Sequence, residues 1–481
     1  MKRLVLIRIL SLLLGIVSLS MLPSLALALR EGNPLVIKAF GYPIAAFVIL
    51  AVLAAVFGRK IPIRLNGRDG FLIVALSWAL SSFLGAMPFV LSGVLPSLAD
   101  GVFEAASGFT TTGASVFTEL EKLPRSILLW RSMTHWLGGM GIVVLTVALL
   151  PLLGVGGFQL LKAETPGPEK DKVAPKITAT AKILWLFYIG FTVIQIILLM
   201  FGGMDWFDAT NHAFATMATG GFSTKNASVG YYKSAYIEIV ITIFMVIAGA
   251  NFSLYYRLLQ GKISDLWYNS ELRAYLLIFF GFSAAVALSM LATYHDFGTA
   301  FRYSAFQVAS ILTTTGFMST DFDQWNSMAK ALILITMFIG GCAGSTGGGI
   351  KVVRIVVLLK QTANEIRRLL HPRGVFSIRL NGKVGRRDVV YGTAGFVALY
   401  IALIFFVMLV VASSGADLIT SLTGSLATVG NIGPGFNAVG PAQNYSAFPD
   451  YVKWVFSFGM IAGRLELWTI FILFTRAFWR K

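Results

Sequence analysis

The chain has 481 residues, of which 56% are hydrophobic and 13% charged, and its mean hydropathy is +0.76. A soluble domain carries about twice that charge, so a soluble enzyme or binding domain is excluded in favour of a helical membrane protein. The single cysteine, Cys342, excludes an internal disulfide and a thiolate metal cluster, and the four scattered histidines argue against a histidine metal site.

Apolar runs of about 20 residues, the length that crosses a bilayer core, recur along the whole sequence. Ten spans are expected, near 5–29, 37–58, 71–93, 126–152, 182–203, 235–259, 273–294, 329–367, 389–412 and 452–478. The opening stretch, MKRLVLIRILSLLLGIVSLSMLPSLALA, has the features of a signal peptide cleaved near Ala28. Its long apolar run and the nine spans that follow favour an uncleaved first helix. The net charge of +17 reads as loop anchoring rather than nucleic-acid binding. With the N-terminus inside, most Lys and Arg fall on the cytoplasmic side, in clusters at Arg59-Lys60, Lys162 to Lys182 and Lys351 to Arg387. Both termini are then cytoplasmic.

The outer segments after spans 3, 5, 7 and 9 are too apolar for plain loops and too short to span. Residues 94–125, with LADGVFEAASGFTTTGASVF, set the pattern: a re-entrant half-helix followed by extended chain. The four turns are expected at Thr111-Thr112-Gly113, Ala218-Thr219-Gly220, Thr314-Thr315-Gly316 and Thr428-Val429-Gly430, with glycines spaced by 107, 96 and 114 residues. Asp100, Asp208 and Asp417 are expected to open three half-helices, and the third repeat starts near Gly298-Thr299. A lone Thr-Gly stretch is ordinarily a helix cap or packing site. Four at similar spacing on one side imply a pseudo-symmetric assembly. Half-helix C-termini converging on an axis favour a cation, and carbonyl oxygens at flexible glycines replace its hydration shell. The absence of carboxylate rings points to a monovalent ion.

The expected fold is therefore an all-α polytopic membrane protein, with four M1–P–M2 repeats around one pore and two N-terminal transmembrane helices. Its units are residues 1–68, then repeats over 69–157, 158–262, 263–380 and 381–481.

The eighth span is interrupted by IGGCAGSTGGGIK, residues 339–351. Each glycine inside a helix costs about 1 kcal/mol against alanine, so an unwound loop is expected there. A tight helix crossing accounts for one or two such glycines, not this many. Arg464 falls mid-span, where a charge must face protein or water. Glu466 does not share its helix face.

These residues resemble the Trk/Ktr/HKT superfamily of potassium transporters. The likeness rests on the four repeats with single filter glycines, the extra N-terminal pair, and the motifs GGMGIVVL (138–145), ETPGPEKDK (164–172), GGFST (220–224), GGCAGSTGGGIKVVRI (340–355), HPR (371–373) and GRLELWT (463–469). The resemblance covers essentially the whole chain. It implies K⁺ uptake across a bacterial inner membrane, with Rb⁺ as a substitute ion. It implies a homodimer and a cytosolic TrkA-like ring that binds nucleotide. It makes Gly344, Ser345, Thr346, Gly347, Gly348 and Gly349 a gating loop, with Arg464 projecting beneath the filter. No cofactor is expected in this chain, since GSTGGGIK lacks the end of a phosphate-binding P-loop. Only Thr428-Val429-Gly430 spells the TVG of tetrameric channels, which predicts weaker selectivity over Na⁺. Arg367, Arg368, His371 and Arg373 suit partner docking or a simple membrane anchor. A K⁺ symporter coupled to H⁺ or Na⁺ is the alternative, with Glu104 and Glu238 as its candidate acids. An enzyme is not expected, because HExxH and GxSxG motifs are missing.

Overall fold

A computed structural model describes residues 2–58, 66–141, 177–381, 383–384 and 387–480. The end of the expected fourth span, the motif at 164–172 and the basic residues at 59–60 lie outside the described residues. The architecture is helical. The only β structure among the described residues is an antiparallel pair, Arg379–Leu380 with Lys383–Val384.

The chain opens with α1 (Lys2–Leu19), α2 (Leu22–Glu31) and α3 (Pro34–Phe57). Asn33 caps α3 by accepting the Leu35 N–H at 3.1 Å, with proline at the first helical position, where its missing N–H costs nothing. α1 packs along α3, and both pack on α4 (Gly67–Leu91).

Four copies of one unit follow. Each has a long outer helix, a half-helix and a shorter inner helix. The first comprises α4, α5 (Leu98–Phe109) and α6 (Arg125–Gly139). The second comprises α7 (Ile177–Phe201), α8 (Trp206–Ala218) and α9 (Ala235–Gly249), which continues after a bend as α10 (Phe252–Leu259). The third comprises α11 (Ser270–Ser289), α12 (Phe297–Leu312) and α13 (Ser327–Met337), after which α14 (Val352–Leu370) leads toward the fourth. The fourth comprises α15 (Arg387–Ala412), α16 (Leu418–Val429) and α17 (Asp450–Arg464). Each half-helix packs on its own outer helix. α6 also packs on α8, α9 on α12, and α17 on α5, so the last repeat meets the first.

Three of the half-helices start earlier than the sequence suggests. The four N-caps are Ser97, Asp205, Asp296 and Asp417, each accepting a backbone N–H from the first turn. Asp417 sits where it was expected. Asp100 and Asp208 instead occupy the third helical position, where a carboxylate favours the positive helix end without capping it. Asp296 opens the third half-helix, which is 16 residues long against 12, 13 and 12 in the others.

The inner helices are broken more widely than expected. α6, α9, α13 and α17 have 15, 15, 11 and 15 residues, all shorter than the roughly 20 that span a bilayer. The chain turns by 92° between α9 and α10, and by 110° between α17 and residues 468–474. The sequence marks only the eighth span as interrupted, and 235–259 and 452–478 read as continuous. Close packing explains the difference. A Cβ on Gly138 would strike the Phe109 carbonyl, one on Gly463 the Val429 carbonyl, and one on Gly249 the Thr313 side chain. The inner helices thus reach their closest contact with half-helix ends at glycine, and α9 and α17 end within one residue of it. Beyond α17, Glu466 and Leu467 hold left-handed φ values of 60° and 53°, a conformation that ends an α-helix.

Ser97→Ala should lower unfolding stability by ~1 kcal/mol, the usual worth of a serine cap. Denaturant unfolding of the purified protein in detergent measures this, and an unchanged midpoint would remove Ser97 as a cap.

Candidate functional site

The four half-helices end alike. The backbone N–H groups of Thr112, Gly220, Thr315 and Ile432 donate to the carbonyls of Ser107, Ala215, Ser310 and Ala427, five residues back, each at 2.8 Å. The preceding residues, Thr111, Thr219, Thr314 and Asn431, have φ of 56°, 56°, 59° and 55°. The residues after the donors, Gly113, Gly221, Gly316 and Gly433, have φ of 80°, 77°, 81° and 97°. A left-handed first residue stops each helix, and a left-handed glycine at the third place redirects the chain.

The four turns touch in a closed cycle. A Cβ at Gly113 would collide with the Gly220 carbonyl oxygen, one at Gly221 with that of Thr315, and one at Gly316 with that of Ile432. A Cβ at Gly433 would come within 2.6 Å of the Thr112 oxygen. Each third-position glycine therefore lies against the second-position carbonyl of the next repeat, and the fourth returns to the first.

This geometry places Thr111, Thr112, Gly113, Thr314, Thr315 and Gly316 at matching positions of their turns. It shifts the register elsewhere. In the second repeat the turn is Thr219-Gly220-Gly221, and Ala218 is the last helical residue. In the fourth it is Asn431-Ile432-Gly433. Thr428 and Val429 close α16, where Thr428 Oγ1 donates to the Gly424 carbonyl at 2.8 Å, and Gly430 caps the helix with φ of −78°. The TVG spelling therefore marks a helix end. The sequence carries a signal for this turn register: Ser97, Asp205 and Asp417 each precede their left-handed glycine by 16 residues.

The threonine clusters divide their work. Thr110 and Thr313 donate back to the carbonyls of Ala106 and Ala309 at 2.6 and 2.7 Å. The same hydroxyls contact Thr112 and Thr315 at 2.8 and 2.7 Å. Asn431 Nδ2 joins the fourth turn to the first by donating to Thr112 Oγ1 at 3.0 Å. Thr111 Oγ1 and Asn431 Oδ1 are buried and have no hydrogen-bond partner among the described residues. His135 braces the second turn from behind. Its ring lies where a Gly220 side chain would project, and its Nδ1 is 2.8 Å from the Gly108 carbonyl.

Residues 338–351, between α13 and α14, lie under this ring. The Gly348 N–H donates to Thr314 Oγ1 at 2.7 Å. Thr346 Oγ1 donates to the carbonyls of Met217 and Ala248 at 3.1 and 3.2 Å. A Cβ on Gly348 would sit 2.6 Å from the Gly430 oxygen, and Gly344 and Gly349 have φ of 73° and 66°. Ser345 Oγ donates to the Cys342 carbonyl at 2.7 Å and accepts the Gly347 N–H at 3.2 Å. Lys351 Nζ donates to the Gly347 carbonyl. Arg464, at the end of α17, donates to the Thr346 carbonyl at 2.6 Å and to those of Gly138 and Gly139 at 2.9 and 3.2 Å. The arginine thus ties the loop to the first and fourth inner helices. Glu466 pairs with Arg354 of α14, across the chain rather than with its neighbour Arg464.

Comparison with known proteins gives the same frame. The family profile TrkH, described as cation transport protein, matches residues 38–481. The Trk system potassium uptake protein TrkH of Halomonas elongata is 41% identical over 482 residues, 99% of both chains. That of Escherichia coli K12 is 43% identical over 446 residues, covering 90% of this chain and 91% of its own. Escherichia coli TrkG is 36% identical over 478 residues, covering 98% and 97%. The crystal structure of the potassium transporter TrkH from Vibrio parahaemolyticus superposes with a TM-score of 0.88 at 37% identity, over the full length of both chains. A profile match over nearly the whole sequence and relatives of this similarity and coverage assign the chain: it is a membrane protein of the TrkH family of cation transport proteins, a transporter and not an enzyme.

Proposed function

We propose that this protein takes up potassium across a bacterial inner membrane, with both termini cytoplasmic, through the ring of four left-handed turns. The observation that carries this reading is the closed cycle in which each third-position glycine abuts the next repeat's carbonyl. Such a cycle sets backbone and threonine oxygens around one axis at the negative ends of four half-helices, which suits a dehydrated monovalent cation. The filter residues are then 111–113, 219–221, 314–316 and 431–433. Relatives bearing the names Trk system potassium uptake protein TrkH and TrkG support K⁺ as the ion.

The loop with Gly344, Ser345, Thr346, Gly347, Gly348 and Gly349, latched by Arg464, is the gate in this reading. It obstructs the path directly beneath the ring and brings a positive charge there. Regulation comes from a cytosolic TrkA-like subunit that carries the nucleotide, and the working unit is a homodimer. The Trk system names of the relatives support a multi-component system, and the basic segment after the gate offers it a docking face. Channel-like flux is favoured over coupling to H⁺ or Na⁺, because both candidate acids are engaged: Glu104 with Arg131 at 2.5 Å and Glu238 with Arg302 at 3.0 Å.

Gly433→Ala adds a Cβ at a φ that disfavours an L residue by ~1–2 kcal/mol and pushes it at the Thr112 carbonyl. It should cut Rb⁺ uptake by proteoliposomes at least about tenfold and reduce discrimination against Na⁺. Gly430→Ala should leave the K⁺/Na⁺ ratio unchanged in folded protein, and the reverse ranking would return the filter to 428–430. Arg464→Ala removes the bonds to Thr346, Gly138 and Gly139. Basal flux should rise about tenfold or more, since ~1.4 kcal/mol of lost latching shifts an equilibrium tenfold. Unchanged flux in the folded variant would take Arg464 out of the gate.

A further inference from the structure

The position nine residues before each left-handed glycine lies behind the ring, and the four repeats fill it differently: Glu104, His212, Gln307 and Gly424. In the first repeat Glu104 is fully buried. Its Oε2 accepts the Val116 N–H at 2.9 Å, and its Oε1 accepts Ser115 Oγ at 3.0 Å and Arg131 Nε at 2.5 Å. Arg131, also buried, donates from Nη1 to the Ser223 carbonyl at 2.9 Å, and its guanidinium lies 3.7 Å from the Phe222 ring centroid. Residues 115–116 and 222–223 are the strands that leave the first and second turns. One ion pair therefore fastens both exit strands to each other.

The other positions hold less firmly. His212 Nε2 reaches only Ser223 Oγ, at 3.0 Å, while its Nδ1 contacts the Asp208 carbonyl of its own helix. Gln307 Nε2 donates to Ser319 Oγ and the Thr320 carbonyl at 3.3 and 2.9 Å. In the fourth repeat Gly424 has no side chain, and neutral groups hold the exit strand: Thr423 Oγ1 accepts the Phe436 N–H at 3.0 Å and the Tyr445 hydroxyl donates to the Gly433 carbonyl at 2.8 Å. Charge-assisted bonds between buried groups are the strong ones, and of these four positions Glu104 is the one that holds two exit strands through an ion pair.

We propose that Glu104 and Arg131 are specificity-determining positioning residues, which fix the width of the ring on the side of the first and second repeats without touching the ion. Selectivity for K⁺ over a smaller cation needs the turns not to collapse inward, and the ion pair resists that collapse from behind. This rests on the reading of the ring as a cation filter.

The test compares full-length protein with Glu104→Gln, which keeps shape and removes charge, and with Glu238→Gln, which breaks a half-buried ion pair away from the exit strands. Permeability ratios come from biionic reversal potentials in reconstituted bilayers, with thermal melting of each variant alongside. In Glu104→Gln the K⁺/Na⁺ ratio should fall about tenfold, with Glu238→Gln unchanged even where its melting temperature drops as far. An unchanged ratio in folded Glu104→Gln overturns the proposal, as does an equal fall in both variants. Should Glu104→Gln not fold, Ser115→Ala decides, since it removes one bond to the carboxylate: a lowered ratio supports the role and an unchanged ratio overturns it. Wild-type protein that does not discriminate K⁺ from Na⁺ would instead contradict the filter reading itself.

Discussion

The contact on which the molecule depends is that between a glycine Cα in one turn and a carbonyl oxygen in the next. It occurs four times, at Gly113, Gly221, Gly316 and Gly433, and a methyl group at any of them would wedge the ring apart. Both requirements at these places, positive φ and close approach, exclude every other residue type. The half-helices can converge only because the turns that follow them are this thin. The inner helices meet those half-helix ends through glycine as well, at Gly138, Gly249 and Gly463.

That close packing has a consequence for the inner helices. A helix held against the centre at a glycine leaves little room below for a straight continuation, and α9 and α17 turn away by 92° and 110°. The third repeat goes further and unwinds into the 338–351 loop. The loop's Gly348 N–H bonds to Thr314 of the ring, and its Thr346 carbonyl accepts from Arg464. Ring and loop therefore share hydrogen bonds, and a change in one is felt by the other. Buried polar bonds of this kind, made in a low-dielectric interior, carry more weight than the same bonds in water.

Much of this was legible in the sequence. Hydropathy gave the helical membrane class, and the recurrence of Thr-Gly after short apolar helices gave the repeats. The glycine-rich interruption at 339–351 marked the loop because helix propensity alone forbids a continuous helix there. Where the turns differ from the expected residues, the difference has a common origin. Spacing and the Thr/Val-Gly step point to Thr428-Val429-Gly430, yet α16 runs through Val429 and the left-handed glycine is Gly433. In the second repeat Gly220 and Gly221 are adjacent glycines, and only chain geometry shows that Gly221 holds the left-handed φ. The bends after Gly249 and Arg464 are not legible because the runs 235–259 and 452–478 are long and apolar enough as wholes to pass for single spans. The pairing of Glu104 with Arg131 joins residues 27 apart on different helices, and no local pattern announces it.

The most direct measurement is the position of the ion. Crystals of the protein grown in Rb⁺ and recorded at the rubidium absorption edge would locate it by anomalous scattering. The account predicts density on the axis of the ring, surrounded by oxygens of residues 111–112, 219–220, 314–315 and 431–432. Density centred instead on residues 428–430, or found only outside the ring, would contradict it.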